Sequence, residues 1–252
     1  MNRVMGVIPN KKDLRDYTLK TYAANFPITY ECPTCLVKDQ GQVGSCAAFA
    51  TAEILESHYG EKLSTDFIYG NGYNLFGTRG PGMMLRDACK IVQKLGDPNW
   101  EFCYTNTEVD KVYSIASKAA NDSTTMYSAG KHKILSYVKL NGINDIKYAL
   151  MNYGPVLAAI NWYEDNQVFK GLLRQGTIPM GGHAIMIYGW CEEGFLMQNS
   201  WGTSWGNKGK CVLPYNYKIE EAYGFTFGDT TQIKKPCKLL RWLYKLKNRL
   251  FK

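Results

Sequence analysis

The hydrophobic periodicity of this chain changes once along its length, near residue 125, and that change limits the folds open to it. Before it, apolar residues recur at helical spacing. Ser45 precedes CAAFATAEILESHY, in which Phe49, Ala52, Leu55 and Tyr59 share one helical face and Gly60 supplies a stop, so a helix is expected from about Cys46 to His58. Ser64 is placed to cap a second helix that begins at TDFIYG. MLRDACKIVQKLG sets Leu85, Ala88, Cys89, Val92 and Leu95 on one face and ends at Gly96, which argues a third. After the change, KILSYVKL, PVLAAI, HAIMIYGW, FLMQN and KCVLP read as strands punctuated by Gly, Asn and Pro, with one helix from Asn144 to Tyr153 among them. The expected class is α+β, with a helical lobe over about residues 25–120 and an antiparallel β lobe over about 125–232.

Composition narrows the function classes. A chain that is 45% hydrophobic and 21% charged, with 18 Tyr and 6 Trp, has the makings of a packed core and not of a disordered segment. No run approaches the roughly 18 apolar residues that span a bilayer, and no signal peptide is recognised ahead of Pro9, so location is left open. The net charge of +8 has one source. Lys234 to Lys252 carries eight Lys or Arg and no Asp or Glu, and the rest of the chain is formally neutral. After Pro236 this tail, residues 233–252, sets Leu239, Leu243, Leu246 and Leu250 on one helical face, a pattern that suits an anionic membrane surface, a nucleic acid or other polyanion, or packing on its own protein.

Of the eight cysteines, Cys32 and Cys35 have CxxC spacing but no second pair or close His pair to complete a site, so neither metal nor cofactor is expected. A nucleophilic Cys46 must be free, so the other seven cannot all pair within one chain. Cys89 with Cys103 and Cys191 with Cys211 are pairings left to a structure.

Four polar residues stand in settings that suit nucleophilic catalysis. Cys46 follows the turn-prone string DQGQVGS at the predicted start of a helix, where unpaired amides and the helix dipole favour a thiolate. His183 opens HAIMIYGW directly after Gly181 and Gly182, whose bare backbone leaves room beside the ring. Asn199, in QNSWGTSWG, has a side-chain oxygen able to accept from one imidazole nitrogen and fix the tautomer, with Trp201 placed to shield that bond. Gln40 lies six residues before Cys46 and offers an amide donor, beside the Cys46 N–H, to a developing oxyanion. His58 and His132 read as surface or packing residues.

The strings DQGQVGSCAAFA, GGHAIMIYGW and QNSWGTSWGNKG, in this order, resemble the papain family of cysteine peptidases. The opening GVIPNKKDLRDY looks like bacterial and phage-type members that lack a long inhibitory pro-domain. The resemblance covers roughly residues 25–230. It implies a two-lobe papain-like fold with the active site in the cleft between the helical lobe and a barrel-like β lobe. It makes Cys46 the nucleophile, His183 the general base and acid, Asn199 the orienting residue and Gln40 the oxyanion donor. It also places GPGMMLRDA at the substrate-binding loop, so that Gly82 offers its backbone to an extended peptide while Met83, Met84, Ala159 and Ala184 line an apolar pocket. Ala47 stands where the family usually has Trp, and Val43 where many secreted members have a disulfide cysteine. Residues 1–24 are too short for the usual pro-domain, and they become the candidates for covering the cleft. The implied activity is hydrolysis of protein or peptide substrates through a thioester on Cys46. The alternatives are a transpeptidase or cell-wall amide hydrolase on the same dyad, and a silent binding protein on the same fold.

Overall fold

A computed structural model describes residues 3–11, 13, 18–19, 25–77, 81–104 and 109–228. The tail 233–252, with its predicted helix, lies outside them. In chain order the described elements are β1 (Tyr30–Glu31), α1 (Cys46–Tyr59), α2 (Thr65–Phe76), α3 (Leu85–Lys94), α4 (Val109–Ala119), α5 (Ser123–Gly130), β2 (Ser136–Lys139), α6 (Ile143–Asn152), β3 (Val156–Tyr163), β4 (Gln167–Phe169), β5 (Leu172–Arg174), β6 (Pro179–Trp190), β7 (Gly194–Gln198), β8 (Lys210–Pro214) and β9 (Ile219–Thr226). The helices-then-sheet order is the expected α+β arrangement. The helical part runs on through α5 to Gly130, past the predicted change near 125, because Asp122 caps α5 by accepting from the Thr125 N–H. No helix among the described residues is long and apolar enough to cross a membrane.

The strands form one sheet in the order β2-β9-β3-β6-β7-β8-β5-β4, with β1 on the outer run of β6. Neighbours pair antiparallel except β5 with β8. Two-residue alternation divides the core between the sheet's two faces. On β3, Leu157 and Ala159 face a cluster shared with α1 and α3, whereas Val156, Ala158 and Ile160 face a second cluster with Ile146, Ala149 and Leu150 of α6.

Helix α1 begins and ends where the sequence indicates, with Gly60 in the left-handed conformation at its C-terminus, but it is not a one-sided amphipathic helix. Cys46, Ala47, Ala48, Ala50, Thr51, Ala52, Ile54 and Leu55 are all buried, whereas Phe49, assigned to the core stripe, is only half-buried. A helix wedged between the helical lobe and the sheet has no solvent face to spare, and its alanines allow the close approach. Ala47 is fully buried in that packing.

Ser64 caps α2 as expected, its hydroxyl accepting from the Phe67 N–H at 3.0 Å. Beyond α3, Gly96 sits at φ +83, and a Cβ there would lie 1.9 Å from the Ala129 carbonyl oxygen at the end of α5. Two backbone segments cannot move apart cheaply in a close-packed lobe. Gly96→Ala is therefore expected to destabilise the fold by about 2 kcal/mol or more, read as a fall in thermal midpoint; an unchanged midpoint would contradict the close approach.

All seven cysteines among the described residues are free. Neither the Cys89–Cys103 nor the Cys191–Cys211 pairing forms, and Cys32 and Cys35 are both thiols. Among the described residues no His, Cys, Asp or Glu group is arranged to hold a metal ion.

Candidate active site

Three elements bring the chemistry together. Cys46 is the first residue of α1, His183 lies within β6, and Asn199 follows the end of β7. The Cys46 sulfur accepts from the Ala184 N–H at 3.4 Å, which sets it against β6 one residue beyond His183. The His183 Nε2 lies 2.8 Å from Asn199 Oδ1. That oxygen also accepts from the Ser200 N–H at 2.8 Å, which fixes the amide's orientation. Nε2 therefore carries the proton and Nδ1 the lone pair. Nδ1 is buried with no hydrogen-bond partner, so the ring's free basic position belongs to the site.

Indole rings enclose this pair. Trp201 lies over the imidazole with centroids 4.7 Å apart, and Trp162 meets His183 edge-on at 5.4 Å. Trp201 is itself buried, so water is kept from the His183–Asn199 bond. Gln40 is held between the turn before Cys46 and the segment that follows β7. Its Nε2 donates to the Val43 carbonyl at 2.8 Å and its Oε1 accepts from the Ser200 hydroxyl at 2.6 Å. A primary amide has two N–H groups, so one donor remains after the Val43 bond.

An N-terminal strap occupies the cleft. The Val7 N–H donates to the Gly182 carbonyl at 3.0 Å, the Ile8 N–H to the Met83 carbonyl at 3.1 Å, and the Met83 N–H to the Gly6 carbonyl at 2.8 Å. Residues 6–8 thus run as an extended chain between the loop before α3 and the start of β6, antiparallel to Gly182 and parallel to Met83. The two glycines leave room as the sequence suggests, since a Cβ on Gly182 would lie 2.9 Å from that of Val7. Arg3 anchors one end by donating to Asp39 at 2.6 Å and to the Gly41 carbonyl at 2.8 Å. Asn10 anchors the other on Glu221 at 2.5 Å. What the strap presents to the Cys46 sulfur is the Gly6 N–H, while the Gly6 carbonyl is bonded to Met83.

Burial sets the protonation state of the pair beneath the strap. Four backbone N–H groups, of Ala184, Gly6, Ala47 and Cys46, favour the thiolate, yet burial outweighs them and pushes the Cys46 thiol up to about 11. Burial likewise pulls the His183 imidazolium down to about 4, against the bond to Asn199 and with a small contribution from Arg3. Covered, the two groups are a neutral thiol and a neutral imidazole.

A pH dependence of the cover follows. His183 has its covered-state pKa depressed from 6.5, so its contribution is full above pH 6.5 and is lost as the pH falls through about 4. Cys46 has its covered-state pKa raised from 9.0, so its contribution is full below pH 9 and is lost towards 11. The cover is expected to hold most tightly between about pH 6.5 and 9, and acid weakens it by up to about 3 kcal/mol. Amide exchange of residues 5–8, corrected for intrinsic rates, is the measurement; protection that rises between pH 6.5 and 4.5 would contradict this ordering.

The substrate-loop residues are placed differently from one another. The bonds to an extended chain come from the backbone of Met83, not Gly82, whose N–H is instead directed to the Tyr69 hydroxyl. The Met83 side chain is buried towards α2, its terminal methyl beside Gly72, rather than lining a pocket in the cleft. Met84 precedes α3 and is half-buried. Ala159 and Ala184 are direct cross-strand partners, both buried, and Ala159 has Glu221 as its partner on β9. His132 is a buried packing residue whose Nδ1 lies 2.9 Å from the Asp97 carbonyl.

Ser200, Trp162, Ala184 N–H and the strap contacts were not singled out by sequence as parts of this site. Ser200 had a signal, its position between Asn199 and Trp201. Trp162 had none, because its role arises from strand register; residues 5–8 were candidates for covering the cleft by position alone, and their individual contacts arise from chain path.

Comparison with known proteins agrees with the geometry. The family model described as papain family cysteine protease matches residues 29–224. An uncharacterized peptidase C1-like protein of Acanthamoeba polyphaga mimivirus is 25% identical, with 94% of this chain and 89% of that protein covered. The cathepsin B-like cysteine proteinase 4 of Caenorhabditis elegans is also 25% identical, over 82% of this chain and 76% of its own length. Among solved structures, xylellain, a cysteine protease from Xylella fastidiosa, aligns with a TM-score of 0.78 at 25% identity, covering 91% of this chain and 99% of that one.

Proposed function

The chain belongs to the papain family of cysteine proteases, and from that premise we propose that it is a peptidase that cleaves peptide bonds through a thioester on Cys46. The observation that carries the reading is the fixed His183 tautomer. Its Nε2 is bound to Asn199, and its free Nδ1 sits on the strand that holds the Cys46 sulfur. With the strap displaced and water admitted, the burial that holds both groups neutral is removed. As the sulfur closes on a substrate carbonyl, Nδ1 takes the thiol proton, and the helix-terminal amides favour the thiolate that results.

Each later step has a group in place. The thiolate attacks a substrate carbonyl carbon, and the oxyanion is met by the Cys46 N–H and the remaining Gln40 donor. The His183 imidazolium gives its proton to the leaving amine as the C–N bond breaks, leaving the thioester. Water, deprotonated by Nδ1, then hydrolyses the thioester and releases the acid. Met83 and Gly182, whose backbones bond the strap, are the groups that would bond an extended substrate in its place.

The test is alkylation by a thiol-directed peptidyl epoxide at pH 6, mapped by mass, alongside hydrolysis of a denatured protein substrate. Modification confined to Cys46, with matching loss of hydrolysis, is the expected result. Alkylation spread over Cys35 and Cys191 and absent from Cys46, in a chain whose strap has been displaced, would overturn the reading in favour of a silent binding protein.

A further inference from the structure

Helix α1 buries a carboxyl group that the steps above do not use. Glu53 follows Cys46 by seven residues, two helical turns and about 10 Å along the axis, so the two lie on nearly one face. It is fully buried. Its Oε1 accepts from the Lys38 N–H at 3.3 Å, and its Oε2 has no hydrogen-bond partner. Beside the carboxyl lies the amide of Gln198, also fully buried. The Gln198 Nε2 donates to the Cys35 sulfur at 3.6 Å, and its Oε1 has no donor. An ionised carboxylate can only accept, so it would leave two buried acceptors in one place with nothing to bond.

One proton removes that deficit. On Oε2 it gives Glu53 an O–H that the Gln198 Oε1 can accept. The charged and titratable groups around it allow this state. The Lys38 ammonium is taken by Glu56 at 2.6 Å. The Cys35 thiol is pushed up to about 12 by burial and by Glu53 and Glu56, so it brings no charge. Burial pushes the Glu53 carboxyl up to about 8, over the opposing contacts of the Lys38 N–H, Gln198 and the Lys38 charge, and Glu56 adds to the rise.

Each partner of this acid leads to a group of the active site. Lys38 lies two residues before Gln40, Gln198 lies directly before Asn199, and α1 begins at Cys46. We propose that Glu53, held as a neutral acid with its O–H on Gln198, is a positioning residue that ties α1 to the segments carrying Gln40 and Asn199. It touches no reacting atom. Its effect on turnover rests on the peptidase reading; its hold on Asn199 does not.

The test compares the full chain with Glu53→Gln, which keeps a neutral polar group, and Glu53→Met, which keeps only the length. Exchange of the His183 Nε2–H, bonded to Asn199, is read from its proton resonance, and it should quicken about tenfold in Glu53→Met and less than about twofold in Glu53→Gln at pH 6. In chains opened by Gly6→Val, kcat should fall about tenfold in Glu53→Met with KM little altered, and Glu53→Gln should recover it. Protonation has its own signature. A carboxyl raised from 4.5 to about 8 gives its full contribution below pH 4.5 and loses it as the pH rises through 8. The thermal midpoint of the parent should therefore fall, relative to that of Glu53→Gln, by at least about 5 °C between pH 5 and 8. Over pH 7 to 9 the ratio of parent to Glu53→Gln exchange rates should rise about tenfold, a readout that stands whether or not Glu53→Met folds. Equal effects of Gln and Met on kcat and exchange, a parent midpoint that runs parallel to that of Glu53→Gln, or a constant exchange ratio would each overturn the proposal. Absence of both Cys46 alkylation and hydrolysis from every chain, with exchange and midpoints as expected, would remove the peptidase reading and leave Glu53 as the residue that positions Asn199.

Discussion

Gly6→Val is expected to raise the rate of Cys46 alkylation, and with it peptide hydrolysis at neutral pH, by about 100-fold or more. A Cβ on Gly6 would lie 2.1 Å from the Gly44 carbonyl oxygen and 2.4 Å from its carbon. Both atoms are backbone, in the turn that also carries Cys46, so neither gives way as a flexible side chain would. The strap can relieve the clash only by lifting, which breaks the hydrogen bonds of Gly6, Val7 and Ile8 to Met83 and Gly182. Three such bonds at about 1 kcal/mol net each set the scale of what holds the strap down, and 3 kcal/mol corresponds to about a hundredfold change in the open fraction. Arg3→Ala removes only an end anchor, whose partner Asp39 is half-exposed, and is expected to raise the rate by less than about tenfold. Equal rates for Gly6→Val and the unaltered chain would mean that the strap does not limit access.

The contrast between the legible and illegible parts of this molecule follows from how far each interaction reaches along the chain. Helices α1, α2 and α3 were readable because their apolar spacing and their Ser64, Gly60 and Gly96 signals lie within a few residues. Strands β3, β6, β7 and β8 were readable as apolar runs. Strand β9 was not, because IEEAYGFT carries two glutamates, one of them Glu221 bonded to Asn10 and Tyr223. The β4–β5 hairpin consists of three-residue strands, too short for periodicity to register. At the site, Cys46, His183, Asn199 and Gln40 stood out by type and local setting, and the fold brings them together. Met83 did not sort correctly. A methionine after a glycine turn reads equally as pocket or core, and it is the small Gly72 on α2 that draws its side chain into the lobe. The strap was a candidate by position alone, since nothing in GVIP states that it will lie across β6.

In the Gly6→Val background, where the cleft is open, Cys46→Ala is expected to remove hydrolysis to below about one part in 10⁵ of the parent rate, since no other group in the site can form the thioester. His183→Ala should come within about tenfold of the same floor, because Cys46 then lacks both the base that ionises it and the acid that protonates the leaving amine. Gln40→Ala should lose about 10² to 10³ in turnover, the usual effect of one oxyanion donor. The decisive comparison is the double variant. If Cys46 and His183 act as one unit, Cys46→Ala/His183→Ala should be no slower than Cys46→Ala alone, because nothing remains for the base to activate. Multiplying losses would mean that His183 acts on something other than the Cys46 proton. Asn199→Ala separates orientation from chemistry in the same assay. It frees the imidazole to take either tautomer and should lower the rate less than His183→Ala does, while Asn199→Asp, which keeps an acceptor at the Oδ1 position 2.8 Å from Nε2, should recover part of the loss. Equal and complete losses in Asn199→Ala and Asn199→Asp would show that packing under Trp201, and not the choice of tautomer, is what this residue supplies.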